Sequence, residues 1–302
     1  MNDVWDAVHT LRLVQRTCRA EETPIDLLDN PAIQAAALPF VVAALLSLAL
    51  VRSRYLALAV LSGLIVVVGL TIGFAFEGPL SSVKKLIVAT VALSFVGVLA
   101  EATGISARRA FVPLLSVAIG LVAVWVVQRL LQQREGTPAF LLGIGALAFS
   151  LVTAGTALLS GRESTLRASV VAACLGWGSG VLALIGASAL LAQIGLALGT
   201  AAAAAALVQM LRGRGSPLGT SLIVPVAVAA PLIALLASAT SELRWYALLP
   251  LPLAPLAGLY VPIGRLAKPW QAAFAIGAAT LIPVVLAIAL AWFAGASSPP
   301  AG

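Results

Sequence analysis

Histidine occurs once, as His9, and cysteine twice, as Cys18 and Cys174. A transmembrane b-type haem needs paired histidines and structural zinc needs a Cys/His cluster, so neither can be assembled from one copy of this chain. No cofactor and no metal is expected. Cys174 falls inside an apolar run and Cys18 near the amino terminus, so a disulfide between them is not expected. Aspartate ends at Asp29 and asparagine at Asn30. With His9 outside the apolar part, no serine–histidine–carboxylate set can be drawn. No residue is assigned a catalytic role, and the balance is against an enzyme. Charge is scarce too: 10% of the 302 residues are Asp, Glu, Lys or Arg, against about 25% in soluble domains.

Apolar residues fill the space, at 61% of the chain. The expected architecture is all-α, a polytopic integral membrane helix bundle of about ten transmembrane helices. The formal charge of +7 comes from Lys and Arg in short gaps between apolar runs, as in membrane proteins, so nucleic acid is excluded as a partner. The lipid bilayer is the expected partner, in a bacterial inner (cytoplasmic) membrane.

Three regions follow: an extramembrane amphipathic and acidic segment (1–29), a transmembrane helical domain (30–294) and a tail (295–302) expected to be disordered. Residues 1–20 carry Asp3, Asp6, Arg12, Arg16 and Arg19 without a continuous apolar centre, unlike a signal peptide. Val4, Ala7, Val8, Leu11 and Val14 share one helical face, which suits either an interfacial helix or a short solvent-exposed one that docks other membrane protein subunits.

The first span is expected from Pro31 to Val51, after Asn30 as N-cap. Further spans are expected over 55–76, 86–100, 110–131 and 139–160. The run from Ala168 to Leu211 would reach about 66 Å as one helix, twice a hydrocarbon core, so it must turn between Gly180 and Gln193. Spans over 218–239 and 270–294 flank a proline-broken ninth. Nine spans is the alternative count. Basic residues divide ten to eight between the two sides, a slight lean toward an external amino terminus. Gln132–Pro138 resembles Arg212–Pro217, and Arg162–Arg167 resembles Ser241–Arg244, which suggests three-helix repeats after one leading helix.

The ninth span carries the main functional candidates: Pro250, Pro252, Pro255, Tyr260 and Pro262, as a substrate path or hinge. Interior prolines remove donors and push against the carbonyl four residues back. The freed carbonyls then either meet a substrate or are repaired by neighbouring helices. Arg265 and Lys268, just beyond, are candidates for an anionic lipid headgroup. Candidate interfacial or buried polar groups are Glu77, Glu101, Gln128 and Gln193. Glu101 is expected in an interfacial loop beside Arg108 and Arg109, although a small register shift would bury it. Gln209 is a further intramembrane amide, and such groups commonly bond across helices. Gly176-Trp177-Gly178-Ser179-Gly180 lacks the P-loop lysine and does not fit Gly-x-Ser-x-Gly, so close helix packing explains it. Gly69/Gly73, Gly176/Gly180 and Gly195/Gly199 have the spacing that lets backbones approach.

The expected function is that of a multi-span transporter or permease, with cargo apolar or amphipathic rather than ionic because converging oxygens are few. The alternative is a non-catalytic structural or assembly subunit of a larger membrane complex.

Overall fold

The computed structural model describes residues 30, 33–50, 55–71, 73, 81–133, 136–212, 219–240, 243–263 and 268–296. Helices and turns make up these residues, with no strand among them. A π-helical turn, Ile33–Ala37, leads into α1 (Leu38–Leu50). Then come α2 (Ala57–Thr71), α3 (Ser82–Ala102), α4 (Phe111–Gln132), α5 (Thr137–Glu163), α6 (Thr165–Ile185) and α7 (Ala189–Arg212). The order ends with α8 (Thr220–Thr240), α9 (Leu253–Leu259) and α10 (Pro269–Ala296). Eight of the helical stretches are long and apolar enough to cross a membrane, while Ala57–Thr71 and Trp245–Leu259 are shorter apolar pieces. The chain thus has the character of an integral membrane protein, because so much apolar surface is stable only in lipid or against other helices.

The turn expected between Gly180 and Gln193 falls at Gly186–Ser188, where Ala187 takes a positive φ of 56°. Several boundaries differ from expectation, among them the end of α2 at Thr71 and both ends of α5 at Thr137 and Glu163. The third helix begins four residues earlier, at Ser82, with the Ser81 hydroxyl accepting from Lys84 N, and it runs through Glu101 to Ala102. Helix α10 continues two residues past Ala294. The segment 1–29, Glu77, Arg265 and the tail 297–302 lie outside the described residues.

Helix α8 is the centre of the bundle. Every residue from Thr220 to Ala237 is buried, and the helix packs against α2, α3, α4, α5, α6 and α7. It holds Pro225 and Pro231 in its interior, each costing one backbone hydrogen bond. Beside it, α6 and α7 meet along a seam of glycines. A Cβ on Gly176 would lie 2.6 Å from Gly199 Cα, and one on Gly195 would lie 2.7 Å from Gly180 Cα. Only hydrogen fits there, and backbones this close gain dispersion contacts along their length. The Gly-Trp-Gly-Ser-Gly run belongs to this seam, and Ser179 bonds back to Gly176 O. Gly73 plays no such role: it lies past the end of α2 with φ 71° and open space around its Cβ position. On α2 it is Gly63 that meets α7, where a Cβ would lie 2.7 Å from Ala201 Cβ.

The suggested three-helix repeats diverge in their middle helices. Helix α6 is continuous over 21 residues, whereas α9 has seven.

Candidate functional site

The proline-rich stretch is broken as its sequence dictates. A 3-10 turn covers Trp245–Leu248, and successive three-residue bonds join Leu251 N to Leu248 O, Leu253 N to Pro250 O and Ala254 N to Leu251 O. Pro252 stands at the N-cap of α9. Pro255 is its third residue, inside the first turn, where a helix has no use for the missing N–H. The prolines therefore shape a short helix rather than damage a long one. Pro250 and Pro255 are buried and Pro252 is half-buried.

The carbonyls released by this break meet neighbouring helices. The Thr156 hydroxyl, on α5, lies 3.3 Å from Pro252 O, within a donor's reach, and also 2.9 Å from Val152 O on its own helix. The Arg167 guanidinium, on α6, donates from Nη1 to Leu259 O and from Nη2 to Val261 O, the latter at 2.8 Å. Leu259 ends α9, so a cation meets the negative end of a helix dipole. Arg167 is 5% exposed. Tyr260, 78% exposed, and Pro262, also exposed, face away from these contacts.

Arg167 belongs to a corner that gathers one end of the bundle. Ser164 joins α5 to α6 with extended backbone, and its hydroxyl accepts from Arg167 N at 3.1 Å. On the other side of Ser164, Arg162 Nη2 donates to Ser106 O at 3.3 Å and to Arg108 O, tying down the α3–α4 connection. Gly219 N donates to Gly161 O at 3.0 Å, bringing the start of α8 to the same place. A Cβ on Gly219 would lie 2.7 Å from Thr165 Cα. Glu101 completes the group: it is 7% exposed, in the last turn of α3, and its Oε2 accepts from Ser221 N at 3.1 Å. The loop position expected for Glu101 is thus replaced by a buried one, because α3 continues two residues further and α8 presents an N–H there.

The remaining candidates disperse. Gln128 is exposed near the end of α4 and Gln193 half-buried near the start of α7. Lys268 is exposed, and its carbonyl accepts from Gln271 N and Ala272 N as α10 begins. At the opposite end of the bundle, Lys85 is 8% exposed, with Nζ 3.0 Å from Trp125 O and 4.8 Å from the centroid of the Trp125 ring. Gln209, 3% exposed, has neither amide atom partnered among the described residues.

Sequence reasoning missed Arg162, Arg167 and Lys85 because cations at span ends are ordinarily anchors in water. The available signal was position: Arg167 is already two residues inside an apolar helix capped by Ser164. No group of three or more metal-ligating side chains occurs among the described residues. Most buried hydroxyls, including Thr90, Ser94, Ser116, Thr153 and Thr280, bond to carbonyls of their own helices. Neither a protein-family model nor a curated protein matches the chain.

Proposed function

We propose that this protein is a transporter-like permease of a bacterial inner membrane that crosses the bilayer ten times, with α2 and the Trp245–Leu259 segment as its two short passes. The observation that carries this reading is the broken segment lodged among α5, α6 and α10. Discontinuous helices lodged between continuous ones are what secondary transporters place along their paths, and only protein contacts make such backbone tolerable at membrane depth. Pro250, Pro252 and Pro255 set the break; Tyr260 and Pro262 follow it toward the surface.

The cargo is apolar or amphipathic. Among the described residues no group of three or more Asp, Glu, His or Cys side chains converges to replace the hydration shell of an ion. The test is uptake of an amphipathic dye by vesicles containing the purified protein. Replacing Pro250, Pro252 and Pro255 together by alanine is expected to abolish uptake while insertion persists. Uptake equal to wild type would count against a path through this segment.

The same scarcity of converging ionisable groups supports a second reading, a non-catalytic subunit that docks partners through residues 1–29. Deleting residues 2–29 then removes co-purifying membrane proteins, whereas retention of every partner sinks the docking role.

A further inference from the structure

We infer that Arg167 is a latch that holds the end of α9 and residues 260–261 against α6, and that releasing it frees this end of the broken segment. The inference rests on the transport reading for its purpose but not for its mechanics. The segment from Trp245 to Ile263 has little regular helix of its own. It consists of three-residue turns and a helix of seven residues, too short to be stable alone. Its neighbour α6 is the opposite, locked to α7 by the interleaved Gly176, Gly180, Gly195 and Gly199. A weak element held on a rigid one is the arrangement in which a few contacts decide position.

Arg167 supplies those contacts at the far end of the segment. One planar guanidinium spans two carbonyls, Leu259 O and Val261 O, on either side of Tyr260. Lysine, a point donor, cannot reproduce that fork. Its Nε is buried without a partner among the described residues, so the side chain is committed to the two carbonyls at the expense of its own third donor. The rest of the segment is seated by packing, with Ala247, Leu248, Leu251 and Ala254 in the core and Gly258 placed where a Cβ would lie 2.8 Å from Val171 Cγ2 and 2.6 Å from Thr280 Oγ1, so Arg167 governs its last turn and the residues that follow. Arg162, five residues earlier, grips the separate connection at Ser106 and Arg108, which makes it the internal control.

Amide hydrogen exchange of the full-length protein in lipid nanodiscs tests this. In Arg167→Gln, residues 253–263 are expected to exchange about tenfold faster or more, the consequence of losing two charge-assisted bonds, while residues 170–205 keep their protection. Arg162→Gln is expected to loosen 103–110 and leave 253–263 unchanged. Arg167→Lys gives an intermediate acceleration and replaces the glutamine variant if that fails to accumulate. Unchanged protection of 253–263 in both Arg167 variants overturns the latch. So does a general loss of protection that includes 170–205, which would make Arg167 a support of the whole fold. Dye uptake in the same variants reads transport separately: faster local exchange with unchanged uptake retains the latch and removes the transport reading.

Discussion

The carboxylate of Glu101 on α3 accepts a hydrogen bond of 3.1 Å from the backbone N–H of Ser221 on α8, across 120 residues of sequence. The first N–H groups of a helix lack partners within it, and in the interior of a membrane bundle water is not there to replace them. A carboxylate at this point also faces the positive end of the α8 dipole. Glu101 therefore acts as a cap supplied by another helix, and it fixes the level at which the central helix sits.

Glu101→Ala is expected to destabilise the protein by about 2 kcal/mol, since a hydrogen bond to a charged group is lost and a buried donor left bare. Glu101→Gln retains an acceptor and is expected to cost about half as much. Thermal unfolding in mild detergent, followed by tryptophan fluorescence, measures both. An alanine variant as stable as wild type would mean that the contact carries no stability.

The glycine seam gives a contrast within one substitution type. Gly176→Ala places a methyl 2.6 Å from Gly199 Cα and N, both backbone atoms that cannot turn aside, and is expected to cost about 3 kcal/mol by forcing α6 and α7 apart. Gly145→Ala, on α5, meets nothing within 4 Å and is expected to be neutral or to stabilise by up to about 1 kcal/mol through helix propensity. The same melting experiment ranks the two, and a reversed order would refute the packing account.

Gln209 buries an amide whose two polar atoms have no partner among the described residues. Each unsatisfied group costs about 1–3 kcal/mol, so Gln209→Met, of similar length and without polar atoms to satisfy, is expected to leave stability unchanged or raise it. A fall in melting temperature would show that the amide has a partner after all, and a change in dye uptake without a fall would place that partner in the cargo.

The sequence by itself determined the class of molecule, the positions of most helices, and the break after Trp245. Those properties are local: apolar runs, their lengths against a bilayer, and prolines too close together for a continuous helix. Even the turn between α6 and α7 followed from length alone. The sequence also showed which glycines had the spacing for close approach, but not which would meet. Gly176 and Gly180 found Gly195 and Gly199, while Gly73 became a turn residue. Tertiary structure alone decided the fates of the charged groups. Glu101, Arg162, Arg167 and Lys85 stand at the ends of apolar runs, where a shift of one helical turn separates water from the interior. Their partners are backbone atoms of Ser221, Arg108, Leu259 and Trp125, and a backbone acceptor or donor leaves no mark in sequence. What a side chain at a helix end becomes is set by which other helix ends beside it.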